Sequence, residues 1–159
     1  MAGGTMVTFQ IDGHKALTIE LDRFRRRIDD VEPVWQAIAD RMAEVWGREF
    51  RLEGAWVRWA PLSPRYRAWK ANKYPGAKIL HLTGDLEDSL TTRPFGIDEI
   101  NDKVMVIGTM VSYAHYHQHG TPMMPARPMI RPIKRADAKL FGKFLHQFLM
   151  HGKVSRGAK

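Results

Sequence analysis

The sequence contains no cysteine, and this absence removes several kinds of chemistry at once. Disulfide bonds, thiolate nucleophiles and cysteine-ligated zinc or iron–sulfur sites are excluded. No apolar run approaches the roughly 20 residues that a helix needs to span a bilayer. The first 22 residues carry charge and alternate between apolar and polar types, which is not the pattern of a signal peptide. We therefore expect a soluble protein made in the cytoplasm.

The whole chain has a net charge of +8, and acidic residues are especially scarce in two long parts of it. Residues 54–84 hold six Lys or Arg and no acid, and residues 103–159 hold ten Lys or Arg and one acid, Asp137. Such clustering indicates a surface that meets polyanions or an acidic partner, and a merely solvated basic surface is the alternative.

Familiar catalytic signatures are also missing. The sequence has no glycine-rich phosphate loop, no Gly-x-Ser-x-Gly and no His-Glu-x-x-His. Asp85, Glu87 and Asp88 are close enough to suggest a metal-dependent nuclease, but acids are common in the first turn of a helix. Their spacing matches no strong nuclease pattern. None of these features is a strong catalytic signature.

The segment YAHYHQHG, residues 113–120, remains as a candidate metal site. In a strand, His115, His117 and His119 would share one face and could hold zinc. A histidine ligand usually needs an orienting acceptor, often a carboxylate, and the nearest acids are Asp102 and Asp137. Packing or interface use is therefore the favoured interpretation, and a His-based metalloenzyme is the weakest of three functional hypotheses.

Hydrophobic periodicity predicts a single α+β domain over residues 1–150, followed by a basic disordered tail at 151–159. Alternation on both sides of Asp12-Gly13 predicts an N-terminal β-hairpin over residues 7–21. An apolar stripe every three or four residues predicts a long amphipathic helix over 31–53. The remaining predicted elements are a short helix at 64–72 capped by Ser63, another after Thr83, a second β pair within 91–109 with a turn near 98–102, a proline-rich loop and a C-terminal helix at 132–149.

Residues 56–73 combine aromatic and basic side chains, including Trp56, Trp59 and Trp69. Such a set could stack single-stranded bases while the cations hold phosphates. The tryptophans could instead pack against the long helix, and protein interfaces favour the same residue types. Nucleic-acid binding through residues 56–73 is therefore the second functional hypothesis.

Four short motifs occur in a characteristic order: Trp59-x-Pro61-Leu62, Leu82-Thr83-Gly84-x-Leu86-x-x-Ser89, Tyr113-Ala114 with His117-Gln118-x-Gly120, and Pro125-Ala126-Arg127-Pro128. Their order and spacing over residues 20–150 resemble the phage virion morphogenesis family, the tail-completion or neck proteins of Mu-like and P2-like phages. The family pattern favours an aromatic residue where this chain has Met129.

The resemblance implies a structural protein without enzymatic activity or cofactor, which completes the phage tail at its head-proximal end and supports head–tail joining. It implies a ring-forming homo-oligomer in the virion, expected as a hexamer, that contacts neighbouring tail and head–tail connector proteins. A basic lumen would hold the phosphates of passing genomic DNA without reading its sequence. The expected contact residues are Trp59, Leu62, Tyr113, His117, Gln118, Arg127 and Pro128, and the candidate DNA-facing residues are Arg131, Lys134, Arg135, Lys139 and Lys143.

Overall fold

The computed structural model describes residues 13–154, which form six helices and one two-stranded antiparallel sheet. This is a mixed α+β domain, as predicted. In chain order the elements are α1 (His14–Asp29), α2 (Glu32–Arg51), α3 (Pro64–Lys73), α4 (Asp85–Thr91), β1 (Ile97–Ile100), β2 (Met105–Gly108), α5 (Ala114–His119) and α6 (Arg135–His151).

Helix α2 lies at the centre of the hydrophobic core and confirms the predicted long helix. Pro33 occupies its first turn, where the missing N–H costs no hydrogen bond. The apolar stripe of α2 is buried against α4 and α6. The side chains that meet there are Val34, Ile38, Met42, Val45, Trp46 and Phe50 from α2, Leu86 and Leu90 from α4, and Phe144 and Phe148 from α6.

The predicted N-terminal hairpin is wrong, because its return strand belongs to α1. Gly13 has a φ of +123° and precedes the first residue of the helix, so the Asp12-Gly13 turn signal leads into a helix. Leu17, Ile19 and Leu21 alternate over five residues, but Leu17 and Leu21 also begin a stripe with helical spacing that continues to Ile28. The first arm of the hairpin, residues 7–11, lies outside the described residues.

The middle of the chain follows the predicted order with small shifts. Ser63 caps α3, since its Oγ accepts a hydrogen bond from the Tyr66 backbone N–H at 3.4 Å. Gly84, rather than Thr83, is the N-cap of α4. The β pair is antiparallel, with Ile97 opposite Gly108, and its turn covers residues 101–104, slightly later than predicted.

The C-terminal helix begins three residues later than predicted, at Arg135, because the extended proline-rich segment continues through residue 134. It ends at His151, and Gly152 follows in the left-handed conformation at a φ of +71°. Val154 is partly buried against the core, and residues 155–159 of the predicted tail lie outside the described part of the chain. Within residues 13–154, none of the helices combines the length and the apolar character needed to cross a membrane.

Candidate functional site

The proline loop, residues 121–132, is fixed to the rest of the domain by a buried arginine. The side chain of Arg127 is 4% exposed, and it donates from Nε to the Ala60 carbonyl at 2.8 Å and from Nη2 to the Pro61 carbonyl at 3.1 Å. No carboxylate of the described residues forms an ion pair with it. Burial accordingly lowers the pKa of Arg127. This guanidinium holds two distant loops together through neutral backbone acceptors.

Gln118 fixes the far end of the proline loop through three hydrogen bonds. Its Nε2 donates to the Ile130 carbonyl at 2.7 Å, and its Oε1 accepts from the backbone N–H groups of Met129 and Ile130 at 3.1 and 3.0 Å. A neutral amide carries a donor and an acceptor side by side, which this arrangement requires. The Met129 side chain is thereby placed in the core at 1% exposure.

Trp59 and Gly120 complete the same arrangement. The Trp59 indole N–H donates to the Pro128 carbonyl at 2.9 Å, and its ring meets the Phe50 ring edge-on at 5.5 Å. Gly120 has a φ of +77°, and a Cβ atom there would lie 2.8 Å from the Ala126 backbone nitrogen. Only glycine therefore allows α5 to end so close to the returning loop.

The seven expected contact residues all lie around the proline loop, but they fall into two groups. Trp59, Gln118, Arg127 and Pro128 form an internal clamp, in which their side chains or carbonyls bond within the chain. Leu62, Tyr113 and His117 line a groove beside that clamp. Direct contact with another subunit stays a prediction for all seven.

The internal clamp was missed by the sequence interpretation, although the sequence carries a signal for it. Segments rich in proline lack backbone donors, so their carbonyls and those of their neighbours need partners from side chains. Arg127 and Gln118 are long polar side chains next to such segments. Buried donors of this kind are the expected solution.

The groove has a volume of about 820 Å³ and lies between α3, α4, α5 and the proline loop. Its lining is mainly apolar, and it includes Leu62, Leu80, Leu86 and Met124. Exposed side chains stand at its rim, among them Tyr66, Leu82, Tyr113 and Met123, the last at 97% exposure. An open apolar groove with an exposed apolar rim is typical of a contact surface.

The three histidines do not converge, so the strand hypothesis for a metal site is wrong. Residues 114–119 form the short helix α5, where His115 and His119 lie one turn apart on one side and His117 lies on another. His117 lines the groove, and burial, followed by the nearby Arg127 charge, lowers its pKa. Among residues 13–154, no three His, Cys, Asp or Glu side chains form a group that could hold a metal ion.

The five candidate DNA-facing residues are also divided by the structure. Arg131 is bound to Asp137 through two hydrogen bonds of 2.7 and 3.0 Å and lies 4.0 Å from Glu49, with only 11% of its side chain exposed. The hydrogen bond raises the pKa of Arg131 and lowers that of Asp137. Its charge is therefore neutralised inside the protein. Four of the five remain exposed: Lys134, Arg135, Lys139 and Lys143, the last three at successive turns of α6.

The aromatic residues of 56–73 are partly buried and partly exposed. Trp59 packs in the core as one interpretation predicted, whereas Trp56 and Trp69 are 39% and 43% exposed. Tyr66 stacks on Trp69 with ring centres 5.3 Å apart, and Lys73 lies over the Trp69 ring at 5.7 Å. An exposed stack with an adjacent cation thus remains on the surface of α3.

Comparison with known protein families supports the structural interpretation and does not test nucleic-acid binding. Residues 12–149 match the phage virion morphogenesis family. The chain belongs to this family. No curated protein and no solved structure matches the chain significantly. As a member of the phage virion morphogenesis family, the protein is a virion-associated structural protein of phage assembly, and the match covers all four motifs that build the clamp and the groove.

Proposed function

We propose that this phage virion morphogenesis protein completes the tail at its head-proximal end, forms a ring of identical subunits and supports head–tail joining without enzymatic activity. The main support for the proposal is the arrangement of the motif residues. Their polar groups bond to backbone inside the chain, and what they present outward is an apolar groove. Residues organised in this way create a contact surface rather than a reaction centre.

The exposed basic residues fit a position beside DNA in such a ring. Arg135, Lys139 and Lys143 project from one face of α6, and none of them forms an ion pair within residues 13–154. A lumen lined by several copies of this face would attract phosphates without sequence preference. Arg131 is left out of this proposal, because its partner Asp137 already neutralises it.

A charged substitution on the rim of the groove tests the proposed function in infected cells. Met123→Asp places a charge on the groove rim at a side chain that is 97% exposed, so folding should survive. We expect filled heads and separate tails by electron microscopy, with a strong loss of infectious particles. Met110→Asp is the matched control, since Met110 is also highly exposed and lies outside the groove. Normal particle yield from Met123→Asp would contradict the proposed role of the groove.

Nucleic-acid binding through α3 is the second candidate function, favoured by the exposed Tyr66–Trp69 stack beside Lys73. It predicts salt-dependent binding of single-stranded DNA, with affinity lost in Trp69→Ala and kept in Trp56→Ala. Titration of labelled oligonucleotide at low salt measures both variants. Absence of binding by the unaltered protein under those conditions would exclude this function.

A further inference from the structure

Helix α1 carries an apolar stripe that nothing in the described part of the chain covers. The stripe consists of Leu17, Leu21, Phe24 and Ile28, which are 61%, 59%, 38% and 53% exposed. Their spacing of four, three and four residues puts them on one side of the helix. No residue of α1 is buried. Helices in proteins gain most of their stability from packing of an apolar face, so the stripe of this 16-residue helix is expected to have a partner.

The stripe does not reach the groove of its own chain. The C-terminal end of α1 is held against α6, where Arg27 Nη1 donates to the Leu149 carbonyl at 2.7 Å and to the Met150 carbonyl at 3.1 Å. None of the described residues of α1 lines the groove. Each subunit therefore presents an apolar ridge on α1 and, in a different part of its surface, an apolar groove.

The stripe and one edge of the groove expose opposite charges, whereas the lysine and the arginine that line the groove are buried. Asp85 lines the groove and Asp88 lies one turn further along α4, and neither forms an ion pair with another described residue. Arg25 flanks the stripe on α1 with 82% of its side chain exposed, and its contact with Asp29 is long, at 3.9 Å. Docking the stripe in the groove would bring the exposed Arg25 guanidinium toward two carboxylates that form no ion pair with the described residues.

We propose that the stripe of α1 docks in the groove of a neighbouring copy of this chain. The inference rests on the proposed ring and names the contact that would build it. A ridge that fits a groove elsewhere on the same molecule makes a head-to-tail contact, which leaves one ridge and one groove free on every added subunit. Such a contact closes into a ring when its rotation permits.

The absence of cysteine makes a direct test available. Leu21→Cys and Met123→Cys each place a single thiol at an exposed position, one on the stripe and one on the groove rim. The two full-length variants are mixed and oxidised, so that any mixed disulfide joins two copies. We expect the mixed Leu21→Cys/Met123→Cys product to dominate over either homodimer. A control mixture of Leu21→Cys with Ile133→Cys, a residue that is 62% exposed and outside the groove, should give little product.

Two other outcomes would overturn the proposal. Dominant disulfides between two copies of Leu21→Cys would show that α1 pairs with α1. Equal yields in the test and control mixtures would show that the groove is not the partner of the stripe. Failure of this contact is distinguishable from failure of the proposed function, because the latter is decided separately by whether the protein is present in purified particles.

A substitution experiment provides a second readout on the assembled protein. Leu21→Asp should weaken self-association by about tenfold or more, since it places a charge where the proposed contact would bury a leucine. Ile133→Asp, at a position of similar exposure, should leave it unchanged. Sedimentation at several concentrations measures both, and circular dichroism confirms that both remain folded. An unchanged association constant for Leu21→Asp would refute the docking of α1.

Discussion

Replacement of Arg127 by alanine should have a large local effect on stability. The side chain is buried, and its two hydrogen bonds join the proline loop to the carbonyls of Ala60 and Pro61. Its backbone N–H donates separately to the His117 carbonyl and survives the substitution. Arg127→Ala therefore removes the side-chain contacts alone and leaves the carbonyls of Ala60 and Pro61 without these donors.

The magnitude follows from those two bonds. A hydrogen bond with a charged donor contributes about 1.5–3 kcal/mol. The substitution also removes the free-energy cost of burying the Arg127 charge, which offsets part of the loss of the two hydrogen bonds. We expect Arg127→Ala to lower the free energy of unfolding by about 2–4 kcal/mol. For a domain of this size, that loss corresponds to a decrease in melting temperature of roughly 5–15 °C.

Urea denaturation followed by tryptophan fluorescence measures the effect, because Trp59 belongs to the clamp. Arg58→Ala is the matched control, since Arg58 also donates to a backbone carbonyl but is exposed, and its loss should cost less than about 0.5 kcal/mol. In infected cells, Arg127→Ala should also yield separate heads and tails. Equal destabilisation by the two substitutions would refute the assignment of Arg127 as an internal clamp.

Two further predictions concern pH. Burial and then the Arg127 charge lower the pKa of His117, so stability should be complete above the ordinary imidazole pKa of 6.5 and fall as the pH drops below it. The urea midpoint of His117→Gln should change less with pH below 6.5 than that of the unaltered protein. The same dependence of the midpoint on pH in both proteins would contradict this prediction. The hydrogen bond from Arg131 lowers the pKa of Asp137. The contribution of the Asp137 carboxylate to stability is therefore fully present above pH 3.8, the ordinary pKa of an aspartate, and is lost in stronger acid. Asp137→Asn should cost about 3 kcal/mol at neutral pH, and a cost that is the same near pH 3 would argue against the ion pair.

Much of the fold could be predicted because several elements carry strong local signals. The apolar stripe of α2 extends from Val34 to Phe50, Pro33 lies in the first turn of that helix, and Ser63 followed by Pro64 marks the start of α3. Helix α1 was missed because alternation over five residues obscured a helical stripe that is clear only from Leu17 to Ile28. Similarly, six residues of α5 are too few for their periodicity to distinguish a helix from a strand.

The candidate site could be located from the motifs, but the roles of its residues could not be assigned. The four motifs do meet around the proline loop in the structure. What the sequence cannot specify is which polar side chain turns inward, because the acceptors of Arg127 lie more than 60 residues away along the chain. Similarly, Arg131 was predicted to face DNA, because the sequence does not show that its guanidinium pairs with Asp137.

Quantitative mass spectrometry of purified particles and of separated tails tests the central claim most directly. A structural ring at the head-proximal end of the tail predicts the same small, fixed number of copies in both preparations, with six as the expected value. The protein should also remain bound when heads are removed from the tails. Absence from both preparations, with abundant protein left in the lysate, would contradict a structural ring.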